Sequence, residues 1–211
     1  METTVKYLFE QYQSLDQKEV TLYGWVRNNR SQKNFGFINF HDGTVFPTLQ
    51  VVYEEALANF KDIQKVRVGS SIEVVGNVVL TPEMKQPFEV KASRIVLLGD
   101  SAEDYPIQPK RHTREFLREV AHLRTRTNLF QAVFRVRSEA AISIHKFFND
   151  CGFIYTHTPL ITANDGEGAG SMFQVTTLDL NQTGKEKEVD YTKDFFGKPT
   201  YLAVTGQLEA E

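Results

Sequence analysis

Apolar and polar residues alternate with period two through much of the first half of the chain, and with helical spacing at a few places. Val5, Leu8, Phe9 and Tyr12 are spaced as the apolar stripe of a short helix. Val20, Leu22, Gly24 and Val26 then occupy one face of a strand, with Thr21, Tyr23, Trp25 and Arg27 on the other. The run Arg27 to Asn34 is polar and basic and predicts a loop. From Phe35 to Phe40, Ile38 and Phe40 point inward and Phe35, Phe37 and Asn39 outward; Asp42-Gly43 is a turn signal. From Thr48 to Tyr53, Leu49, Val51 and Tyr53 oppose Thr48, Gln50 and Val52. Leu57, Phe60 and Ile63 predict a helix over 53–64. Strands follow over 71–80, ended by Thr81-Pro82, and over 88–98. Three strands, a helix and two strands is the order of a five-stranded OB barrel.

The second half has a different rhythm. Residues 99–109, with two prolines, acids and turn formers, predict a linker. Asn128 to Asp150 predicts a long helix with Phe130, Phe134, Ala141, Ile144 and Phe148 in one stripe, usually a core or an interface. Gly152 is a helix stop. Phe153-Ile154-Tyr155 reads as a short strand, and Pro159 belongs at a strand start or sheet edge. Asp165 to Ser171 sets three glycines around Glu167, a loop able to fold over a small ligand. Strands over 173–177 and 201–204 flank a polar loop at 181–187.

Composition narrows the function classes. The chain has 211 residues, 41% of them hydrophobic, which suits one or two domains. The net charge of −3 excludes a bulk polycation, yet Lys110 to Arg137 holds eight Lys or Arg against Glu115 and Glu119, a local +6. Such asymmetry points to an anionic partner, against the alternative of a helix face whose charges pair internally, as Glu115 with Arg118. One cysteine, Cys151, excludes an internal disulfide, and the five histidines lack metal-ligand spacing. No run resembles a signal peptide or a membrane span, so a soluble protein of a reducing compartment is expected.

Candidate chemistry gathers on the outer barrel face. The Phe37 ring can stack on a base, the Gln50 amide can read a base edge, and the Arg27 guanidinium can hold a phosphate or base. The alternatives are Phe37 packed under the first helix and Gln50 merely solvated.

Several segments carry a family resemblance. GWVRNNR, FGFINFHDG and LQVVY resemble the anticodon-binding domain of the aspartyl/asparaginyl subgroup of class II aminoacyl-tRNA synthetases. The helix followed by Gly152-Phe153 and Pro159 resembles the family's motif 1. Glu167 with Met172-Phe173 resembles its flipping loop. PIQPKRHTREFLREVAHLRTRTN resembles the hinge, and YLAVTGQLEAE the asparaginyl-type segment leading to motif 2. The fold implied is β + α/β: a five-stranded OB barrel over 1–99, a basic hinge over 100–127, and over 128–211 the start of a class II antiparallel-sheet catalytic domain, cut before motif 2.

The resemblance also implies roles. Phe37 would stack on the central anticodon base and Gln50 help read it, with Arg27 a weaker candidate. Glu167 would hold the substrate α-ammonium, and Gln207 would bind the same amino acid. Aspartyl relatives carry a lysine where this chain has Ala210, and without that cation a neutral asparagine side chain is favoured over a second carboxylate. The activity implied is ATP-dependent attachment of asparagine to tRNA(Asn) through an asparaginyl-adenylate. Mg2+ would assist, and a cytoplasmic homodimer would form through the motif 1 helix. The catalytic arginines and magnesium ligands are expected beyond Glu211, so the chain alone is expected to be inactive in adenylation. The rivals are an aspartyl-type or nondiscriminating synthetase, and a non-catalytic OB module that binds RNA and dimerises.

Overall fold

β-Branched and aromatic residues at alternate positions build five strands: β1 (Glu19–Ser31), β2 (Phe35–His41), β3 (Leu49–Glu54), β4 (Ser71–Leu80) and β5 (Phe88–Gly99). The computed structural model describes residues 2–166, 168, 171–179 and 189–210. It divides into two units, Met1–Ala140 and Ala141–Glu211.

In the first unit the strands close a barrel in the order β1-β2-β3-β5-β4. β3 and β5 run parallel and the other neighbours antiparallel. Closure leaves no sheet edge unpaired. The inward residues of the alternating pattern fill the interior: Leu22, Val26, Ile38, Phe40, Val51, Ile72 and Val74 are fully buried. Helix α1 (Val5–Gln11) lays Val5 and Leu8 on this core. It starts where Thr4 Oγ1 accepts the Tyr7 N–H at 3.2 Å, and Asp42 Oδ2 accepts the Val5 N–H at 2.7 Å.

Two predictions for this unit are corrected. The polar run after Arg27 is strand as far as Ser31. Asn29 pairs with the inward Ile38, so it faces the interior. Its amide is satisfied there: Nδ2 donates to Ile63 O at 2.8 Å and Val66 O at 3.1 Å, and Oδ1 accepts from the Tyr53 hydroxyl at 2.9 Å. The helix expected over 53–64 shrinks to α2 (Phe60–Ile63), because Tyr53 and Glu54 complete the β3 ladder against Gly36 and Phe35. Leu57, Phe60 and Ile63 are buried nevertheless. The Tyr53 ring lies so close to Gly36 that a Cβ there would sit 2.2 Å from it.

Arg67 fastens the linker to the barrel, donating to Asp100 at 2.7 Å and Glu103 at 3.0 Å. Helix α3 (Arg114–Glu119) follows, capped by Thr113, and then α4 (Asn128–Asp150). α4 runs on into the second unit.

There α4 ends at Gly152, whose φ is +87°. Gly152 N–H donates to Asn149 O, and Phe153 N–H to Phe148 O, both at 3.0 Å. This is a Schellman cap, sealed by an edge-on contact of the Phe148 and Phe153 rings at 5.5 Å. The strand expected at Phe153–Tyr155 does not form: the Phe153 amide is spent on the cap, and Tyr155 turns its ring edge-on to His145 at 4.9 Å. Strands β6 (Ile161–Thr162), β7 (Gln174–Val175) and β8 (Thr200–Leu202) make an antiparallel sheet with β8 in the centre. The Asp194 carboxylate ties it together, accepting from the Thr176 and Thr177 hydroxyls at 2.6 and 2.7 Å and from the Thr177 and Phe195 amides at 2.9 and 2.8 Å. These donors, Thr176 first, hold its pKa far below the usual carboxylate range. The last described element is α5 (Gln207–Ala210). No helix among the described residues is long and apolar enough to cross a membrane.

Candidate nucleic-acid interface

Residues directly opposite in antiparallel strands share a face, so the register of β1, β2 and β3 assembles the outer surface row by row. One row is Arg30–Phe37–Val52 and the next is Asn28–Asn39–Gln50. Phe37 is half-buried, braced by the edge of Phe35 at 5.4 Å and by the Arg30 guanidinium 5.8 Å from its ring centre. Part of the ring remains accessible to solvent. Gln50 Nε2 donates to Glu89 Oε2 on β5 at 2.9 Å, and the Gln50 N–H donates to Gln86 Oε1 at 3.1 Å. The amide is therefore held in one orientation before any ligand arrives. Phe37 and Gln50 thus lie in adjacent rows on one face.

Arg27 stands outside this register but lines the adjoining cleft with Asn28 and Asn39. The ladder of β1 and β2 shifts between Val26 and Asn28, and this bulge sets Asn28, not Arg27, opposite Asn39. Arg27 is half-buried, and its Nη2 donates to Asn128 Oδ1 at 3.1 Å. Burial pushes its guanidinium below the ordinary value, with Arg126 adding to the effect against the opposing influence of Tyr105.

The linker brings its charge to the same surface. A cleft of about 1150 Å³ is lined by Asn28, Asn39 and Thr48 of the barrel and by Lys110, Arg111 and Arg114. Among the described residues, none of the eight Lys or Arg between 110 and 137 is ion-paired. The pairing of Glu115 with Arg118 that a self-contained helix face would show is not made. The cleft itself offers the Asn28 and Asn39 amides and unpaired cations, which can hold a phosphate. The Gln50 amide and the Phe37 ring, able to read a base edge and stack a base, lie outside its lining, Gln50 in the same row and Phe37 in the next.

The amino-acid candidates fall in the second unit. Gln207 opens α5, exposed, its N–H donating to Thr205 Oγ1 at 3.1 Å, and Ala210 closes it. Glu167 lies outside the described residues. Its neighbour Gly166 packs on Thr205, where an added Cβ would come within 2.2 Å of the Thr205 methyl, and Gly206 packs equally closely on Thr158. Gly166 therefore meets the turn that leads into α5, and a larger residue at 166 would push Thr205 away, as one at 206 would push Thr158. Among the described residues no group of three His, Cys, Asp or Glu could hold a metal ion, so no chemistry is assigned to Mg2+ here.

Sequence reasoning missed Asn28, Glu89 and Gln86. Glu89 was within reach of it, since it lies between the inward Phe88 and Val90. Asn28 was hidden by the bulge.

Comparisons with known proteins agree with this geometry. Residues 20–98 match the OB-fold nucleic acid binding domain family, and residues 113–205 match the tRNA synthetases class II (D, K and N) family. An asparagine–tRNA ligase of Acholeplasma laidlawii is 58% identical over 214 residues, covering 100% of this chain and 46% of the relative. One of Clostridium botulinum is 54% identical, covering 98% of this chain and 45% of the relative. The chain thus spans about half the length of the curated relatives it matches. Among solved structures, an asparaginyl-tRNA synthetase from Pyrococcus horikoshii complexed with asparaginyl-adenylate superposes with a TM-score of 0.74 at 22% identity, over 93% of this chain and 42% of that one. A putative aspartyl-tRNA synthetase from Leishmania major gives the same TM-score at 18% identity, over 99% and 39%. These two likenesses establish the shared fold.

Proposed function

Because the chain belongs to the class II aminoacyl-tRNA synthetases of the aspartyl, lysyl and asparaginyl group, we propose that it supplies the anticodon-reading part and a portion of the amino-acid pocket of an asparagine–tRNA ligase. The observation that carries this reading is the cleft in which Asn28 and Asn39, from the row that also holds Gln50, meet unpaired linker cations.

In this reading Phe37 stacks on the central anticodon base and the Gln50 amide, steadied by Glu89, reads an edge. Arg27 secures the cleft through Asn128, and the linker cations hold the RNA backbone. Glu167 and Gln207 offer acceptors to the α-ammonium of asparagine, which would otherwise be buried without partners. Ala210 withholds the cation that a substrate carboxylate would need. The whole protein joins the asparagine carboxylate to the α-phosphate of ATP, releasing pyrophosphate, and any Mg2+ would be held by residues other than the described ones of this chain. The terminal ribose hydroxyl of tRNA(Asn) then attacks the adenylate carbonyl and AMP leaves. A second copy covers the α4 stripe, where Phe134, Ile144 and Phe148 are exposed, giving a cytoplasmic homodimer.

The test pairs binding with charging. The chain should bind tRNA(Asn) in preference to tRNA carrying another anticodon and lose that preference in Phe37→Ala and Gln50→Ala, and the whole protein should charge with asparagine but not aspartate. Binding indifferent to the anticodon, or charging with aspartate, refutes it.

A further inference from the structure

A cavity of about 610 Å³ opens within the first unit between β1, the β2–β3 turn, the linker and the first turns of α4. That volume suits a small ligand. Trp25, Tyr105, Phe130 and Phe134 give it aromatic walls, and Arg27, Arg126 and Arg135 give it three guanidinium groups. Among the described residues no aspartate or glutamate lines it. Among the described residues, none of the three arginines is ion-paired.

Each arginine is instead positioned by neutral groups. Arg27 donates to Asn128 Oδ1 at 3.1 Å, and Arg135 to Gly43 O at 2.7 Å. Arg126 reaches Gly69 O and the Tyr105 hydroxyl, each at 3.4 Å, and lies 5.1 Å over the Trp25 ring. From outside the lining, Arg124 sits 4.7 Å over Phe130 and 5.5 Å over Phe134. Gln131 adds an oxygen, Oε1, that is buried without a hydrogen-bond partner.

These features define the ligand by its chemistry. Neutral partners orient the guanidinium groups but leave their charge uncompensated, and one carboxylate would not balance three cations. A phosphate dianion can be gripped by planar forks in pairs. Flat aromatic walls take a flat ring, and the unpaired Gln131 oxygen takes an N–H or O–H beside it. Burial already disfavours the charged form of Arg27, a cost that an anion would offset. We propose that this cavity binds a nucleoside 5′-phosphate group, free or as a unit of RNA. Apart from Arg27 it uses none of the residues assigned to anticodon or amino acid, so it stands independently of that assignment.

Trp25 is the chain's only tryptophan, and its emission reports on this cavity. The protein is titrated with AMP, with inorganic phosphate as competitor, and with a short single-stranded RNA. AMP should quench Trp25 saturably, with half-saturation below about 1 mM, and phosphate should reverse it. Arg135→Ala, an exposed position, and Arg126→Lys should each raise the half-saturation at least about tenfold with unchanged circular dichroism. Quenching by RNA at lower concentration than AMP identifies RNA as the source; the reverse order identifies the free nucleotide. Phe37→Ala should leave the AMP titration unchanged while tRNA binding falls, so either reading can fail alone. Absence of saturable quenching by both AMP and RNA, or titrations of both arginine variants that match the parent, overturns the proposal.

Discussion

Replacing Phe37 by alanine removes one ring from the outer barrel face and little else. The ring is half-buried and belongs to no core cluster. Its contacts with the protein are an edge-on pair with Phe35 and a distant guanidinium from Arg30. An aromatic pair is worth about 0.5–1.5 kcal/mol, so the variant should lose roughly 1 kcal/mol of folding stability at most. A base stacked on the ring is worth about 1–3 kcal/mol. At tenfold per 1.4 kcal/mol, that weakens binding of the anticodon stem-loop by roughly 5- to 150-fold. Phe37→Leu separates the two contributions, because it keeps apolar bulk on the sheet and removes the π face. Fluorescence anisotropy with a labelled stem-loop, at fixed salt, measures the affinity, and urea unfolding measures the stability. The reasoning fails if alanine changes the affinity less than twofold. It also fails if leucine binds as well as phenylalanine, since hydrophobic bulk rather than stacking would then be at work.

Tyr53→Phe should cost about 1–3 kcal/mol in urea unfolding, because Asn29 Oδ1 loses its buried donor; a cost below about 0.5 kcal/mol would show that the oxygen finds another partner. His41 gives the first unit an acid-side weakness. Its Nδ1 accepts the Gly43 N–H at 3.0 Å while Nε2 faces Val45 O at 2.9 Å, which fixes the neutral ring with its proton on Nε2. Burial, aided by Arg27 and Arg135 against Val45 O and Asp42, holds its pKa below the ordinary 6.5. The unfolded chain therefore takes up this proton at higher pH than the folded one. The stabilisation is complete above about pH 6.5 and declines as pH falls from there towards the folded value. Unfolding midpoints at pH 7.5 and 5.5 should differ more for the parent than for His41→Gln, and equal differences would refute the assignment. Gly152→Ala places a side chain in left-handed backbone at about 1–2 kcal/mol. Hydrogen exchange at the Phe153 amide should quicken by roughly 5- to 30-fold, and an unchanged rate would mean that the cap does not limit opening there.

The barrel was readable because inner and outer residues alternate through β2 as far as Phe40 and through β4 as far as Val78, while in β3 only the buried Val52 breaks the pattern. Reading failed where a polar side chain was paired indoors or one residue broke the count. Asn29 looks like a loop residue until Tyr53, Ile63 and Val66 are seen around its amide, and those partners come from distant parts of the chain. The bulge at Arg27 is invisible to a period of two, so which residue of β1 stands opposite Asn39 could not be read from alternation. Phe153 to Tyr155 has strand composition, yet a strand needs a partner, and these residues meet the end of α4 and His145 instead. On the linker, the charge excess was plain from composition. Only the geometry showed that its cations leave one another and the nearby glutamates unpaired and share a cleft with Asn28 and Asn39.

The central place of β8 in the second sheet has a consequence for how the chain is made. The barrel has all its strands once Gly99 has left the ribosome. Among the described residues β6 and β7, by contrast, pair only through β8, which emerges after both of them. At about 5–20 residues per second, some 40 residues separate the appearance of Ile161 from that of Leu202, a wait of roughly 2–8 s. During that interval two short strands have no neighbour to complete them, while a finished barrel is already able to fold ahead of them. Stalling synthesis between Val175 and Thr200 should therefore yield a nascent chain whose first unit resists protease and whose remainder is digested.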